Sequence, residues 1–497
     1  MRVDPVARER IAAANALVRR AVADGHAIYG VTTGLGARVT ETIAEGAADA
    51  GAYSRRTIRG RATAVGEPLN AELTRAAMAV RLNGLCAGGA GVEPAVADAL
   101  AALLNHGVHP EIPRSGSVGA ADLCLMAHVG LGLIGEGRAE LDGEWLDGAQ
   151  ALARAGLAPL ELGPRDGLAI CSSSAVAIGA AALALVDGQA CLAAVQASAA
   201  LALEGFRANL SPLDPRVVAA RPAPGQAWAA AGLRELLAGG ALEAGDEPPR
   251  RLQDPLSFRC ASQVHGSLRA ALELLESALA PELSGAADNP LVVPEGAGND
   301  DAGAVLPTGN FSSPALALAL DAVAIALAQV AHGIAERTAR LTEARLSGLT
   351  PGLAPEATTR SGMAPLSKTA HALELEIRHL AAPLSIHAMV LADGVEDDTT
   401  GATQAALRLG EQLSRLRLLA ALELLVSAQA VDAAGVGARL GTGTGAAHRC
   451  VRELVPPLAE DRPLGTEVRR IADGVLATGA LAARIASAAS PAGATAG

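Results

Sequence analysis

Long stretches of alanine and leucine with few polar interruptions dominate the chain and predict its helices. Residues 5–25 are rich in alanine and arginine, and residues 72–106 contain two further helical segments. Residues 314–346 form a long Ala/Leu pattern in which polar positions are rare, so burial on most sides is required. At ~1.5 Å per residue, this helix would be roughly 50 Å long. Helices are also predicted for residues 367–380 and 402–431, which makes the chain all-α.

The most apolar tract, Ala175–Leu203, is rich in alanine and is interrupted by Asp187 and Gln189. Two polar residues within the tract favour a helix buried among other helices over a membrane span. The first residues of the chain also lack the apolar segment of an export signal. We therefore expect a cytoplasmic protein without a membrane partner.

Composition agrees with the helical pattern and excludes several classes of function. Two Trp, two Tyr and three Phe among 497 residues leave a core of Ala, Leu and Val, and the first two are strong helix formers. A net charge of −12 without a basic run argues against a nucleic-acid partner. The six cysteines lack Cys-x-x-Cys spacing, which favours reduced thiols. The ten histidines lack metal-ligand spacing, so no metal is expected.

The stretch that organises the chemistry is residues 116–123, Gly-Ser-Val-Gly-Ala-Ala-Asp-Leu, which runs on to Ala127 and His128. It resembles the loop Gly-Ser-Val-Gly-Ala-Ser-Gly-Asp-Leu of the histidine and phenylalanine ammonia-lyases. Further segments match this family in order from Tyr29 to Leu464. The resemblance implies the family's fold, an all-α homotetramer with a long central helix bundle and active sites shared between subunits.

In that family the Ala-Ser-Gly tripeptide makes its own electrophile, a methylidene-imidazolone. The glycine nitrogen attacks the alanine carbonyl and the serine loses water, which needs a β-hydroxyl and an unhindered nitrogen. Ala120, Ala121 and Asp122 offer neither, and the loop is one residue shorter. We therefore predict a divergent member with a degenerate prosthetic-group loop and no cofactor. Cyclisation at Ser115 is a weaker alternative, because Arg114 precedes it in place of alanine.

Residues 28–36, Ile-Tyr-Gly-Val-Thr-Thr-Gly-Leu-Gly, predict a loop because glycine and β-branched residues alternate there. The segment resembles the family's Tyr-Gly-(Val/Ile)-Asn-Thr-Gly-Phe-Gly, whose tyrosine removes a proton from the substrate. The resemblance makes Tyr29 the candidate catalytic base. The match carries extra weight because the chain contains only two tyrosines. A tyrosine that merely packs within a glycine-rich turn is the alternative.

A second catalytic candidate lies in residues 394–398, Gly-Val-Glu-Asp-Asp. They resemble the family's Gln-Glu-Asp-His, whose glutamate lies in the active site. Glu396 is accordingly expected to act as an acid or a hydrogen-bond partner. A solvated acidic loop containing Asp393, Asp397 and Asp398 is an equally good interpretation of the same residues.

Arg61 falls where the family places the residue that selects the substrate side chain, a histidine in histidine lyases. A guanidinium there predicts a substrate whose far end is anionic or forms strong hydrogen bonds. The alternative is a surface arginine on a helix that also carries Arg55, Arg56 and Arg59.

Ser172 occupies the position of another family residue. Residues 165–174, Arg-Asp-Gly-Leu-Ala-Ile-Cys-Ser-Ser-Ser, resemble Lys-Glu-Gly-Leu-Ala-Leu-Ile-Asn-Gly-Thr. The asparagine of that segment contacts both the prosthetic group and the substrate, so Ser172 is a candidate substrate-binding residue. A nucleophilic role for this serine or for Cys171 is a weaker interpretation than a helix N-cap.

The resemblance predicts a carboxylate clamp in residues 253–264, Gln-Asp-Pro-Leu-Ser-Phe-Arg-Cys-Ala-Ser-Gln-Val. Family members read Gln-Asp-Pro-Tyr-Ser-Leu-Arg-Cys-x-Pro-Gln-Val, and their arginine holds the substrate carboxylate. Gln253 and Arg259 are therefore predicted to bind substrate, while Leu256 replaces the reactive tyrosine. Phe311, within a Gly-Asn-Phe segment, is a further substrate-binding candidate by resemblance. A structural salt bridge is the alternative role for Arg259.

The sequence suggests three regions: residues 1–205 with the tyrosine loop and the degenerate loop, residues 206–486 as a helical bundle, and a disordered tail at 487–497. Residues 441–445, Gly-Thr-Gly-Thr-Gly, lack the Lys-Ser/Thr of a phosphate-binding loop, and a flexible loop is expected.

Three functions remain open from the sequence. The first is a lyase that eliminates from, or adds across, a Cα–Cβ bond of a small carboxylate or amino-acid-like substrate without a methylidene-imidazolone. The second is a catalytically inactive homologue that binds a ligand or serves as a scaffold. The third is ordinary histidine or aromatic amino acid ammonia-lyase activity, which requires an electrophile that the loop cannot form.

Overall fold

The computed structural model describes residues 1–43, 50–296, 303–355, 360–387 and 389–489. These residues are mostly helical, which confirms the all-α prediction. The α-helices are α1 Pro5–Ala23, α2 Ala50–Arg61, α3 Ala71–Cys86, α4 Pro94–His106, α5 Leu123–Leu133, α6 Gly148–Arg154, α7 Asp166–Cys171, α8 Ala175–Phe206, α9 Pro215–Ala220, α10 Gln226–Leu237, α11 Ala241–Ala244, α12 Leu256–Arg259, α13 Ala261–Ser284, α14 Pro314–Thr342, α15 Ala344–Ser347, α16 Ala364–His379, α17 Ala402–Ala434, α18 Thr442–Leu454, α19 Gly465–Ile471 and α20 Ala480–Ala489.

Short antiparallel strands join some of the loops between these helices. The strands are β1 Val65–Pro68, β2 His109–Pro110, β3 Pro113–Ser115, β4 Arg138–Leu141, β5 Glu144–Asp147, β6 Leu291–Val293 and β7 Ala304–Leu306. β1 pairs with β3, β4 pairs with both β2 and β5, and β6 pairs with β7. The β1–β3 pair, in register at Val65 and Ser115, holds the chain just before the loop that precedes α5.

Local sequence signals explain where several helices begin and end. Asp4 accepts hydrogen bonds from the first backbone N–H groups of α1, and Pro5 stands at its first position, where no N–H partner is lost. The Asn70 side chain caps α3 in the same way. α4 ends at Gly107, whose φ of +68° is readily reached by glycine.

The predicted long helices are present with small changes in length. The helix expected over residues 314–346 ends at Thr342, and a single residue, Glu343, separates it from α15. Glu343 has a ψ of 102°, which interrupts the helical path. α17 continues three residues beyond the predicted end at residue 431.

The chain separates into two compact units of discontinuous segments. Unit 1 comprises residues 1–183, 276–320 and 383–407, and unit 2 comprises residues 184–275, 321–382 and 408–497. Four of the five boundaries fall within α8, α13, α14 and α17, and the fifth lies between α16 and α17. A long helix can contribute one end to each of two clusters of contacts, and a linear division of the chain does not capture this.

The three longest helices, α8, α14 and α17, contribute to both units. In unit 1 their N-terminal ends pack through Ala177, Ala317 and Ala402, whose small side chains allow close approach. In unit 2 the same helices are joined by Glu423, which is fully buried and accepts hydrogen bonds from Arg337 at 2.5 Å and from Ser198 at 2.5 Å. The buried charges of Glu423 and Arg337 are therefore paired with each other.

In the part of the chain that the structure describes, two helical stretches are long and apolar enough to cross a membrane by length and composition alone. They are Asp166–Phe206 and Pro314–Thr342, and a bent pair made of α19, its π-helical continuation Ala472–Leu476 and α20 passes the same test. In the first stretch, 78% of the most apolar window is buried within the structure, and in the second the share is 61%. Packing against the protein thus accounts for much of this apolar surface.

The prediction of a flexible loop at residues 441–445 is wrong, because this segment forms the first turn of α18. The carboxylate of buried Glu204 accepts hydrogen bonds from the Gly441 N–H at 2.9 Å and the Thr444 hydroxyl at 3.0 Å. An internal carboxylate thus occupies the helix N-terminus that an external anion would need. Gly443 also lies close to Leu236: a Cβ added to Gly443 would be 2.9 Å from the Cα of Leu236.

The predicted C-terminal tail overlaps the last helix. Residues 487–489 belong to α20, whereas residues 490–497 lie outside the described residues.

Candidate active site

The loop that precedes α5 turns sharply at Gly119 and Ala121, both of which have positive φ. The angles are +82° and +56°, and the second is unfavourable for a residue with a Cβ. A Cβ on Gly119 would lie 2.4 Å from the Thr400 hydroxyl oxygen, so only glycine fits there. Ala120 forms an isolated β-bridge with Ser312, which joins the loop to the start of α14.

Asp122 follows this turn and fixes the loop to three other parts of unit 1. Its backbone N–H donates to the Ser173 carbonyl at 3.0 Å. Its carboxylate accepts from the Thr403 hydroxyl at 2.5 Å and from the Ala177 N–H at 3.0 Å, and its side chain is fully buried. Burial raises the pKa of the Asp122 carboxyl, and the hydrogen bonds that it accepts oppose this rise. The residue acts as a structural connection between the loop, α8 and α17.

Thr403 and Gln404 hold the loop but were not identified from the sequence. The Thr403 hydroxyl contacts both Asp122 and the Ser117 hydroxyl, and the Gln404 side chain donates to the Ser117 carbonyl. These residues lie more than 280 positions away along the chain. Nothing local to a Thr-Gln pair at the start of a helix indicates such a partner, so only tertiary structure identifies it.

Tyr29 lies in its predicted loop as a half-buried side chain. Its hydroxyl oxygen accepts a hydrogen bond from the Gly36 N–H at 2.9 Å, so the loop holds the phenol in one position. Among the described residues, no acceptor is hydrogen-bonded to the phenolic O–H, which leaves it available to a ligand. Gly30 has a φ of +68°, and a Cβ there would lie 2.4 Å from a methyl group of Leu168. The glycine next to the tyrosine is therefore required by packing.

The buried side chain of Arg165 binds the backbone of the tyrosine loop and of two neighbouring segments. Its guanidinium donates to the backbone carbonyls of Ala90 at 3.0 Å, Pro290 at 2.7 Å and Tyr29 at 3.5 Å. Burial lowers the pKa of this guanidinium to about 10, which leaves it charged at neutral pH. The family resemblance covers Arg165 but predicts no role for it. Its acceptors are backbone carbonyls, which every residue has, so the sequence cannot indicate which ones it binds.

Glu396 lies in a loop that contacts the tyrosine loop within unit 1. Its backbone closes a turn with Leu391 through hydrogen bonds of 2.7 and 3.2 Å. The adjoining turn at Ala392 lies against Gly36, where an added Cβ would be 3.9 Å from the alanine side chain. Gly36 also donates to the Tyr29 hydroxyl, so this glycine contacts both the phenol and the turn that precedes Glu396. In the described part of the chain, the Glu396 carboxylate has no ion-pair partner.

Arg61 differs from the arginines that share its helix. Arg55 and Arg59 both bind Glu136, at 2.9 and 2.7 Å, which makes them surface ion pairs. Arg61 is half-buried and forms no ion pair or side-chain hydrogen bond with the residues that the structure describes. Burial raises the pKa of the neighbouring Cys171 thiol to about 12, and the positive charge of Arg61 opposes that rise. An unpaired cation is thus available beside the end of α7.

Ser172 comes directly after Cys171, at the end of α7, and is 8% exposed. Its N–H closes the helix on the Leu168 carbonyl at 2.8 Å. Two residues later, the Ser174 hydroxyl donates to the carbonyl of half-buried Phe311 at 3.0 Å. The serine run therefore connects two predicted substrate-binding positions. The high pKa of the Cys171 thiol argues against its use as a nucleophile, because little thiolate forms at neutral pH.

Gln253 and Arg259 lie together in unit 2. One terminal N–H of Arg259 donates to the Gln253 side-chain oxygen at 2.7 Å. The Nε of the same guanidinium is buried and has no hydrogen-bond partner. Arg259 forms no ion pair among the described residues, so the salt bridge considered as its alternative role is not observed there. A half-buried guanidinium held by a neutral amide keeps its charge available for a carboxylate.

The structure therefore groups most of the predicted residues in unit 1. The unit contains Tyr29, Arg61, the loop at 120–122, Ser172, Phe311 and Glu396. Unit 2 contains Gln253 and Arg259. Basic, acidic and phenolic groups suited to a carboxylate substrate are present in the two units.

Comparison with known proteins defines the family. A family model described as aromatic amino acid lyase matches residues 1–453. The chain belongs to the aromatic amino acid lyase family. The histidine ammonia-lyase of Sorangium cellulosum (strain So ce56) is 37% identical over 490 residues, which cover 98% of this chain and 94% of the relative. The predicted relationship to histidine ammonia-lyases is confirmed at this level.

Solved structures share the family fold and differ in what they act on. Histidine ammonia-lyase from Trypanosoma cruzi has a TM-score of 0.88 and 29% identity, covering 99% of this chain and 91% of its own. The ergothioneine-degrading enzyme ergothionase from Treponema denticola also has a TM-score of 0.88, with 28% identity and 98% and 94% coverage. Aromatic amino acid lyase folds therefore serve more than one substrate, and local residues must decide which.

Proposed function

We propose that this aromatic amino acid lyase family member eliminates from, or adds across, the Cα–Cβ bond of a small carboxylate or amino-acid-like substrate without a methylidene-imidazolone. The observation that carries the proposal is the loop before α5. Ala121 has no hydroxyl to lose as water, and the Asp122 nitrogen, which would have to attack the Ala120 carbonyl, donates instead to Ser173. The residues do not fit the family's prosthetic group.

The burial of Asp122 also supports a specific alignment of the shortened loop. Asp122 could correspond to the glycine of the family tripeptide or to the aspartate that follows it. Its carboxylate is used entirely by hydrogen bonds to Thr403 and Ala177. We therefore assign Asp122 to the aspartate position, which leaves only Ala120 and Ala121 where the family has three residues.

The alternative cyclisation at Ser115 is disfavoured by secondary structure. Ser115 is the last residue of β3 and pairs with Val65 of β1. Attack of the Gly116 nitrogen on the Arg114 carbonyl needs a tightly folded backbone, whereas a paired strand is extended.

The roles proposed for the side chains follow from their chemistry. Tyr29 takes the substrate proton while the leaving group departs with its bonding electrons. Arg259, oriented by Gln253, holds the substrate carboxylate through the planar guanidinium. Arg61 binds an anionic or strongly hydrogen-bonding far end, which its lack of an internal partner supports. Glu396, whose loop contacts the tyrosine loop, donates or accepts a proton.

Ser172 and Phe311 complete the proposed substrate surface. Without an electrophile, ammonia is a poor leaving group, so a substrate with an acidified proton, a better leaving group or an intramolecular addition is favoured. We also propose a cytoplasmic homotetramer with shared active sites, because the family resemblance implies this assembly. Leu318 and Ile325, exposed on α14 in the single chain, supply apolar surface for such contacts.

Two other functions have specific support. Alanine, serine and leucine at positions 121, 172 and 256 replace three reactive groups of the family pattern, which favours a non-catalytic binding or scaffold protein. The 37% identity with a histidine ammonia-lyase favours that activity, but it needs an electrophile that Ala121 cannot supply.

Intact mass and absorbance of the purified chain test the proposal. We expect the unmodified mass of the sequence and no absorbance band of the prosthetic group. A mass lower by two waters would contradict the proposal and restore ordinary ammonia-lyase activity. A Ser115→Ala variant is the matched control, because its mass should differ from the parent by the lost oxygen alone. A panel of amino and hydroxy acids, monitored for unsaturated product, then separates an enzyme from a scaffold.

A further inference from the structure

Unit 2 contains a cavity of about 380 Å³ that none of the predicted active-site residues lines. Its walls come from α8, α10 and α20, with one side closed by the start of α18. Ligand pockets of drug-sized molecules span ~300–1,000 Å³, so the volume suits a small organic molecule. All residues that line it belong to the same compact unit.

Small side chains create this space. α8 presents Ala190, Ala193 and Ala194 to the cavity, and α10 presents Gly232. A Cβ on Gly232 would lie 3.9 Å from the Gln196 side-chain nitrogen, in ordinary contact, so a larger side chain would extend into the cavity. Leucine and isoleucine of α20 close the opposite wall. An apolar molecule would gain contacts here that water cannot provide.

The polar groups of the cavity are complementary to a cation. Gln196 is 4% exposed, and its side-chain nitrogen donates to the Ala229 carbonyl at 3.4 Å. Its side-chain oxygen is buried and accepts no hydrogen bond. Glu235 is exposed, and its carboxylate has no ion-pair partner among the described residues. Among the described residues that line the cavity, none is a lysine, an arginine or a histidine.

One nearby cation is already neutralised. Arg269 lies over the Trp228 ring at the cavity edge, 5.4 Å from the ring centroid. Its Nε pairs with Glu273 at 2.8 Å, so its charge is balanced outside the cavity. The exposed indole of Trp228 and the Glu235 carboxylate both line the cavity.

We propose that this cavity binds a small organic ammonium with an apolar body, such as an arylalkylamine. The apolar walls take the hydrocarbon part, the Gln196 oxygen accepts one N–H, and the Glu235 carboxylate balances the charge. The site is separate from the proposed active site and its occupation does not depend on catalysis.

Calorimetric titration of the full chain with phenethylamine tests this site. We expect saturable binding of one molecule per chain. 2-Phenylethanol, which lacks the charge, should bind at least about tenfold more weakly, and 3-phenylpropionate, which carries the opposite charge, should not bind.

Three variants locate the binding. Ala193→Phe fills the cavity and should abolish binding, while Glu235→Gln and Gln196→Leu should each weaken it about tenfold. Glu243→Gln, an exposed acid outside the cavity, is the matched control and should bind like the parent. Because Glu235 is exposed, its variant should fold normally even if the core variants do not.

Three outcomes would overturn the proposal: no saturable binding of phenethylamine, equal affinity for the anionic analogue, or unchanged affinity in both Glu235→Gln and folded Ala193→Phe.

Discussion

Replacing Tyr29 with phenylalanine removes one oxygen from the tyrosine loop and keeps the ring. That oxygen accepts the Gly36 N–H at 2.9 Å, and no other hydrogen bond of the described residues involves the hydroxyl. Tyr29 is half-buried, so water can replace the lost acceptor. A hydrogen bond of this kind contributes about 1 kcal/mol to stability. We expect the free energy of unfolding to fall by about 1 kcal/mol or less.

The effect on turnover should be much larger, because the same oxygen is the proposed base. Removing a general base typically lowers the rate about 10²–10⁴-fold, or about 3–5 kcal/mol in activation free energy. A variant that loses about 1 kcal/mol of stability yet loses several kcal/mol of transition-state stabilisation separates a chemical role from a packing role. A tyrosine that only packs in its turn would give a small change in both quantities.

The chain provides a matched control in its second tyrosine. Tyr53 is also half-buried, and the Arg56 guanidinium lies 5.8 Å from its ring centroid. Turnover is measured as absorbance of an unsaturated carboxylate with the best substrate of the panel, and stability by urea unfolding. Tyr53→Phe should keep full kcat. Equal kcat for Tyr29→Phe and the parent would refute the assignment of Tyr29 as the base.

Three further predictions concern single side chains. Arg61→Met should raise the KM of substrates with an anionic far end about tenfold or more and leave the KM of neutral substrates unchanged. Arg59→Met loses only a surface ion pair with Glu136 and should change neither KM. Equal effects of the two variants would reject Arg61 as the residue that selects the substrate. Asp122→Ala leaves the buried Ala177 N–H without its acceptor and should lower the free energy of unfolding by about 1–3 kcal/mol in urea titrations. Exposed Asp397→Ala should change it by less than about 0.5 kcal/mol; similar losses would mean that Asp122 is not structural. Burial raises the pKa of Asp166 from 3.8 to about 6, so the folded state binds this proton more tightly and stability from this group is lost as pH rises from about 4 to 6. This pKa difference corresponds to a change of about 3 kcal/mol in the free energy of unfolding. The change should be missing when the free energy of unfolding of Asp166→Asn is measured against pH. Parallel pH profiles of the variant and the parent would contradict this prediction.

The proposed site contains groups that can bind a carboxylate and groups that can exchange a proton. Arg259 and Gln253 are joined by a hydrogen bond, and Tyr29 is held by its own loop. Arg165 adds a buried support beneath that loop through three backbone carbonyls. Arg61 is half-buried and forms no ion pair with the residues that the structure describes. An unpaired cation in a partly apolar setting costs free energy, which a retired site would have no reason to keep. This cost is the physical argument for a functional ligand.

Several features could be predicted from the sequence. Helices α1, α3, α4, α14 and α17 follow from composition and from the rarity of polar residues, because helix formation depends mainly on neighbours a few positions apart. Family membership and the fold likewise followed from motifs read in order, since each motif is local. The absence of a serine hydroxyl at Ala121 needs no structure to be recognised.

Other features depend on residues that meet only after folding. The Gly-Thr repeat at residues 441–445 looked like a flexible loop, and it is helical because Glu204 supplies the acceptor for its first turn. The sequence does not distinguish the roles of Arg55, Arg59 and Arg61. The structure does, because Glu136 forms ion pairs with Arg55 and Arg59 but not with Arg61.

Asp122 best illustrates the difference between what the sequence determines and what the tertiary structure determines. The sequence by itself determined that residues 120–122 are Ala-Ala-Asp and contain no serine hydroxyl. Only the tertiary structure decided that the aspartate is a buried connection, because its partners Ala177 and Thr403 come from the starts of two distant helices. Local pattern fixes which helices form, whereas the partners of a buried charge are fixed by how those helices pack, and this packing has no signature within a short window of sequence.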